Sequence, residues 1–260
     1  MISAHVDEVG IQIMKKIDER KYSFKVLGNI KCWNLLQQRM RSGNKMGIIF
    51  ANDETNIKAY NYSNLFINII STDDNINIGD VFSFYNKFEE SNEYICGKAI
   101  DNRICCNILI DFINNIPCLD NDIYCVFTVQ EEIGMRGIRV AKTNIRPNIY
   151  INLDVSPESE MNNMEIKKGV GIVSSNSMGV SSCDLFKSMV DVAKKNNIVH
   201  QIEVSDCGTN ELIISNEEDN GTKTIAISLP CKYIHTANTI VYKNDIKEFK
   251  KLLEIYTKDI

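Results

Sequence analysis

Several features that would define a protein class are missing from this sequence. No apolar run approaches the roughly 18 residues that a membrane-spanning helix needs, so we expect no membrane association. The first ten residues, MISAHVDEVG, lack the basic start of a secretory signal peptide. Lysine and arginine (29) are outnumbered by aspartate and glutamate (34), and the net charge of −5 argues against nucleic acid as a partner.

The cysteines also lack a recognisable pattern. There are 9 of them, an odd number, and no two are spaced as CxxC. In a chain of 260 residues this distribution is typical of reduced thiols that fill a core. We therefore expect a cytoplasmic protein, long enough for one large domain or two unequal ones.

From about residue 100 onward, segments with strand and helix patterns alternate. Continuous apolar or alternating runs predict strands, and helical spacing of apolar residues predicts helices. The predicted strands are 123–129, 148–155, 198–204 and 222–230, and the predicted helices are 103–116, 135–143, 184–197 and 246–260. We expect the strand at 123–129 to be buried on both faces and the strand at 222–230 to end at Pro230. The alternation favours an α/β fold.

Residues 11–96 follow a different pattern. Short β-like runs are separated by polar turns, and helical periodicity is weak. The stretch at 10–17 is ambiguous between strand and helix. We predict a small β-rich domain at 11–96, inserted into an α/β domain that is formed by residues 1–10 and 97–260.

Ionisable residues gather at the predicted loop edges, and in open α/β sheets functional groups lie beyond the carboxyl ends of the strands. The positions are His5, Asp7, Asp101, Glu131, Glu132, Asp154 and His235. Taken singly, each has an ordinary structural explanation: Glu131 and Glu132 could be a solvated pair, and Asp101 a helix N-cap. A lone His235 could be a surface residue, as we expect of His200. Taken together, two histidines and several carboxylates form a ligand set suited to zinc, cobalt or manganese.

Five short motifs, in order along the chain, resemble signatures of the M42 metallo-aminopeptidases. They are AHVDEVG, GKAIDNR, VQEEIGMRG, the aspartate of INLDV, and LPCKYIHT, and together they cover nearly the whole chain. The resemblance implies a mixed-sheet catalytic domain that removes N-terminal residues from peptides. It also implies that the insert at 11–96 is a PDZ-like dimerisation domain, and that dimers build a larger, dodecameric particle.

The same resemblance implies two divalent metal ions per chain, zinc or cobalt, with a water bridged between them. His5 and Asp154 would bind one ion, Glu132 and His235 would bind the other, and Asp101 would bridge both.

Two further residues receive catalytic roles from the resemblance. Glu131 would be the general base, and Asp7 would orient His5. The peptide bond between Asp101 and Asn102 would be cis.

Two features depart from the family pattern. The family has a longer segment before the first motif, so we expect the N-terminal part of the catalytic domain to be missing. Asn210, in CGTNELI, stands where the family usually has aspartate. Two alternatives therefore stay open: a truncated, non-catalytic subunit that oligomerises, and an enzyme that hydrolyses small amides instead of peptides.

Overall fold

The computed structural model describes residues 1–52, 61–72, 75–116, 121–206, 211–212 and 221–260. The strands are β1 Ile2–His5, β2 Gly10–Lys16, β3 Lys21–Leu27, β4 Arg39–Ser42, β5 Lys45–Ala51, β6 Leu65–Ile69, β7 Val81–Phe84, β8 Glu89–Glu90, β9 Tyr94–Gly97, β10 Cys125–Thr128, β11 Ile149–Pro157, β12 Val170–Ser175, β13 His200–Val204, β14 Lys223–Lys232 and β15 Thr239–Tyr242. The helices are α1 Cys32–Leu35, α2 Ile100–Asn114, α3 Arg136–Ile145, α4 Cys183–Lys195 and α5 Lys243–Asp259.

A mixed sheet forms the larger part of the fold. Within the described ranges it has nine strands, in the order β10-β1-β11-β14-β15-β9-β8, with β12 paired to β14 and β13 paired to β12. Strands β10, β1, β11 and β14 are parallel, whereas β15 and β9 are antiparallel to their neighbours. This is the α/β mixed-sheet architecture that the sequence predicts. Because four neighbouring strands are parallel, their carboxyl ends meet at one edge of the sheet.

Helix α2 connects the main core to this edge. Its buried residues Cys105, Ile108, Leu109 and Phe112 are three or four positions apart, so they lie on one face of the helix. That face packs on β1 and β11, within the main hydrophobic core. Packing of α2 therefore brings its N-terminal residues to the carboxyl ends of the parallel strands.

The β-rich insert is a small closed barrel. Over the residues described, six strands close in the order β2-β3-β6-β5-β4-β7 around a separate apolar core. The ambiguous stretch at 10–17 is mainly strand β2, which pairs with β3 and β7. The barrel strands run from Gly10 to Phe84, while β8 and β9 join the large sheet. The division of domains at residues 11 and 96 stays a prediction.

The prediction that the strand at 123–129 is buried on both faces was wrong. Among the described residues β10 pairs with β1 alone, at the end of the strand order. Phe127 is 39% exposed and the following Val129 is 51% exposed. An apolar run shows that a segment is hydrophobic, but not whether its strand is central or at the edge of the sheet. That position depends on pairing with strands that are distant in sequence.

The prediction that Pro230 ends its strand was also wrong, because β14 continues to Lys232. Pro230 lies between Ser228, paired with β12, and Cys231, paired with β15. Neither β12 nor β15 pairs with Pro230, so the missing N–H of proline breaks no hydrogen bond to either of these strands.

Candidate metal centre

The carboxyl edge of the parallel strands brings the predicted site residues together. His5 is the last residue of β1, and Thr128, its register partner, ends β10 three residues before Glu131. Asp154 lies near the end of β11. Asp101 and His235 come from elsewhere in the chain, Asp101 from the start of α2 and His235 from the segment after β14.

Asp101 lies between the two histidines. Its Oδ1 is 3.2 Å from His5 Nε2, and its Oδ2 is 3.1 Å from His235 Nε2. Each histidine also faces a second carboxylate: Asp154 Oδ1 is 3.8 Å from His5 Nε2, and Glu132 Oε2 is 3.4 Å from His235 Nε2. The cluster therefore has two halves, each with one histidine and one carboxylate, and Asp101 is common to both.

The two adjacent glutamates are not a solvated surface pair. The Glu131 side chain is 7% exposed and the Glu132 side chain 6%. Neighbouring residues at a strand end point in different directions. Glu131 Oε2 accordingly lies 3.8 Å from His5 Nε2, whereas Glu132 faces His235.

Asp7 connects β1 to the turn that carries these glutamates. Its Oδ1 is 3.5 Å from His5 Nδ1, the side of the ring that points away from Asp101. Its two oxygens also accept the backbone N–H groups of Glu131 (3.1 Å) and Glu132 (3.3 Å). The sequence indicated only the first of these contacts. The second shows that Asp7 holds the turn as well as the histidine ring.

A turn of the barrel holds His235, and the sequence did not reveal it. His235 Nδ1 donates a hydrogen bond to the backbone carbonyl of Asn29 at 2.7 Å, which leaves Nε2 as the free nitrogen facing the cluster. The preceding Gly28 has φ +83°, and a Cβ there would lie 2.5 Å from Val9 Cγ1 and 3.3 Å from Glu132 Oε2. The Gly-Asn pair predicts a turn, but nothing in the sequence connects that turn to the site.

The start of α2 is irregular at the cluster. The Asp101–Asn102 peptide bond is cis, as the resemblance implied. Asn102 Nδ2 donates to the Leu153 carbonyl at 2.8 Å, which attaches this backbone to β11 beside Asp154. Asp101 and Asn102 do not have helical φ/ψ, and the two carboxylate oxygens of Asp101 face the histidines, so Asp101 does not act as the helix cap that its sequence context allowed.

Burial and crowding change the ionisation of the carboxylates. Burial, with repulsion from neighbouring carboxylates, raises the pKa of Glu131 to about 8 and that of Glu132 to about 7. Burial also raises the pKa of Asp154 well above its ordinary value. Burial would raise the pKa of Asp101 too, but the histidines on either side hold it well below its usual range. Ionising all of these carboxyl groups together would therefore give more negative charge than the two histidines can neutralise.

The histidines respond in the opposite direction. Burial by itself would lower the pKa of His5, but the carboxylates of Asp101, Asp7 and Asp154 raise it well above 6.5. For His235 burial is likewise outweighed, by Asp101 and Glu132, and its pKa rises to about 9. Both rings are therefore placed where positive charge is favoured.

Two buried oxygens in the cluster lack a hydrogen-bond donor among the described residues: Glu131 Oε1 and Glu132 Oε1. A buried carboxylate oxygen without a donor is costly unless a cation binds it. One ligand atom each from His5, Asp101 and Glu132 also lie within 4.8 Å of one another. Nitrogen and carboxylate donors at this spacing fit a divalent cation of the zinc type.

The residue next to Asp7 has a different role. Glu8 accepts hydrogen bonds from Lys98 at 2.5 and 2.7 Å and from Arg103 at 3.1 Å. The charge of Glu8 is therefore compensated locally.

His200 lies at the start of β13, where its Nδ1 is 2.8 Å from the Ile198 carbonyl, in agreement with a structural role. Asn210 lies outside the described residues.

The fold is shared with solved structures of aminopeptidases. An aminopeptidase from the archaeon Desulfurococcus kamchatkensis has the same fold, with a TM-score of 0.92 at 24% identity, over 100% of this chain and 79% of that chain. The TET1 peptidase of Pyrococcus horikoshii matches with a TM-score of 0.88 at 25% identity, over 100% of this chain and 83% of that chain. TET1 can assemble into a tetrahedron or a large octahedral shell.

The sequence comparison identifies the family. The profile of the M42 glutamyl aminopeptidases matches residues 1–252, and the chain belongs to this family of aminopeptidases. A relative from Acetivibrio thermocellus, provisionally named an aminopeptidase, is 30% identical over 267 residues, 97% of this chain and 80% of that protein. The resemblance inferred from the five motifs is thereby confirmed. None of the described helices is both long and apolar enough to span a membrane.

Proposed function

We propose that this chain is a metal-dependent aminopeptidase that hydrolyses N-terminal residues from peptides, with two divalent ions, zinc or cobalt, at the cluster. The observation that carries the proposal is the position of Asp101, whose two oxygens face different histidines. We assign one ion to His5 and Asp154, the other to Glu132 and His235, and Asp101 to both. When bound, the ions would polarise the peptide carbonyl and lower the pKa of the attacking water.

Glu131 is the general base in this proposal. It is buried at the cluster, and its Oε1 accepts no hydrogen bond from the described part of the chain. It is therefore free to accept a proton from the attacking water and to pass that proton to the leaving amine. Asp7 keeps Glu131 in place through its hydrogen bond to the backbone N–H.

A small pocket opens beside Asp101, Glu132 and His235. The barrel contributes to its wall through Phe84, and Val9 adds a second apolar surface. We propose that the substrate approaches the cluster from this side.

We further propose that the chain self-associates through the insert at 11–96 into dimers and then into a larger, dodecameric particle. The assembly of the similar TET1 peptidase supports this. Size-exclusion chromatography with light scattering measures the mass directly, and a monomer at micromolar concentration would contradict the proposal.

The function is tested by two measurements on the same purified chain. Metal analysis after equilibrium dialysis against zinc or cobalt should give about two ions per chain, the number that the two halves of the cluster accommodate. Aminoacyl p-nitroanilides and short peptides should be hydrolysed, and the activity should disappear with a chelator. A chain that binds metal without hydrolysing either substrate would favour a small-amide hydrolase, and a chain that does neither would favour the non-catalytic subunit.

A further inference from the structure

A further buried carboxylate, outside the proposed ligand set, lies beneath the cluster. Glu211 is completely buried. Its carboxylate accepts hydrogen bonds from four side chains on three strands of the sheet. The donors are Ser3 Oγ at 2.5 Å, Thr128 Oγ1 at 2.7 Å, Tyr150 OH at 2.9 Å and Asn152 Nδ2 at 3.2 Å.

Two of these donors, Ser3 and Asn152, occupy the layer of the sheet directly below the candidate ligands. Side chains two apart on a strand point to the same face, so Ser3 lies below His5 on β1. Asn152 lies below Asp154 on β11 by the same rule. Ser3 and Asn152 are also register partners across the β1–β11 pair, so one carboxylate reaches both.

Thr128 connects the third strand, β10, to Glu211. It is the register partner of His5 on β10, and it donates to the Glu211 oxygen that Ser3 does not contact. Thr128 also accepts the Val6 N–H through its backbone carbonyl, at 2.9 Å. One side chain therefore connects β10, β1 and β11 just before each strand delivers a residue to the cluster.

The chemistry of this contact is unusual for a core. A buried carboxylate is costly, and the four donors to Glu211 are neutral groups that compensate it only in part. Packing does not require a negative charge at this position. A negative charge below the ligands does favour bound cations, and the shared acceptor keeps the strands at a constant separation.

We infer that Glu211 is a positioning residue of the candidate metal centre, which holds β1, β10 and β11 together so that His5 and Asp154 are presented to the same ion. The inference rests on the proposed function. It adds a residue that does not touch the ion and acts through Ser3, Thr128 and Asn152.

The test is a Co²⁺ titration of the chelator-treated full chain, followed by visible absorption. Glu211→Gln keeps the shape and removes the charge. We expect its affinity for cobalt to fall by roughly 10–100-fold, the usual effect of losing a group that orients metal ligands. The absorption bands at saturation should also change, because the two ligands meet the ion at a different angle.

Asp245→Asn is the matched control. Asp245 is a buried carboxylate as well, and it accepts the backbone N–H groups of Lys167 and Gly169, outside the ligand set. This variant should lose stability while keeping the wild-type cobalt affinity and spectrum. An equal loss of affinity in both variants would show that Glu211 contributes only to general stability and would overturn the inference.

If Glu211→Gln does not fold, the same Co²⁺ titration is made with Tyr150→Phe. It removes one donor and leaves the rest of the network, so cobalt binding should weaken severalfold. Wild-type affinity and spectrum in this variant, or in folded Glu211→Gln, would overturn the inference. Absence of cobalt binding and hydrolysis in the wild-type chain would instead contradict the proposed function.

Discussion

At the scale of single residues, we expect different effects from substituting Glu131, the proposed general base, and Glu132, the proposed metal ligand. Glu131→Gln removes a proton acceptor without removing a proposed ligand. It should keep about two ions per chain and still bind peptide, while turnover falls by roughly 10²–10⁴-fold, as expected for loss of a general base. Single-turnover kinetics beside metal analysis measures both properties.

Glu132→Gln is the companion variant. It removes a proposed charged ligand from the half of the cluster that contains His235, so the ion proposed there should be lost at low metal concentration and partly restored by excess metal. If Glu131→Gln loses the metal and Glu132→Gln keeps it, the two roles are reversed. If neither variant differs from wild type, the site is not catalytic.

A second expectation at this scale concerns pH and Glu203. Burial raises the pKa of this carboxyl above 4.5, and the hydroxyls of Ser156 and Ser228 lower it only in part. Between its unfolded and folded pKa values the folded state binds more protons, so Glu203 reduces stability as pH rises through that window. Glu203→Gln lacks this titration. Its free energy of unfolding relative to wild type should therefore increase as pH rises from about 4.5 towards neutrality.

Urea unfolding of both proteins in the presence of a chelator, at several pH values, gives this difference directly. The carboxylates of the cluster titrate equally in both proteins and cancel in the comparison. A difference that is constant across the range would show that Glu203 has the same pKa in the folded and unfolded states.

At the scale of elements, the barrel turn at Gly28 is expected to support the metal centre. Gly28→Ala places a Cβ 2.5 Å from Val9 Cγ1 at a backbone with φ +83°. A positive φ alone costs about 1–2 kcal/mol for alanine, and the close contact adds to this. The following Asn29 carbonyl should move away from His235, so the ion on that half should bind more weakly.

Gly43→Ala is the control for backbone strain. Gly43 also has positive φ, +58°, but nothing lies within 4 Å of a Cβ there. It should lose roughly 1–2 kcal/mol of stability with unchanged metal content. Urea unfolding and metal analysis of both variants make the comparison. Equal metal content in the two would show that the barrel turn does not act on the site.

At the scale of the whole molecule, metal removal is expected to lower stability. Without cations, the crowded carboxylates at the sheet edge repel one another. An ion present at 100 times its Kd contributes about 2.7 kcal/mol, which corresponds to roughly 5–10 °C in Tm for a chain of this size. Calorimetry with chelator, and then with excess zinc or cobalt, should show the loss and its recovery. A Tm independent of metal would contradict the metal centre.

The sequence by itself determined the parts of this protein that depend on local patterns. Alternating strand and helix periods indicated the α/β domain, and short β-like runs indicated the insert. Strand ends located His5, Glu132 and Asp154, because a polar side chain that directly follows an apolar strand must lie at the edge of the sheet. Ordered motifs were sufficient to identify the family.

Only the tertiary structure decided which groups support those residues. The Asn29 carbonyl and His235 are 206 positions apart, and Ser3 and Glu211 are 208 apart. Neither pair can be read from the sequence pattern, because the spacing of apolar residues shows which face of an element a residue occupies and not which distant residue it contacts. The edge position of β10 and the passage of β14 through Pro230 were likewise decided by pairing between distant strands. Local chemistry therefore specified the candidate site residues, and long-range packing specified how they are held.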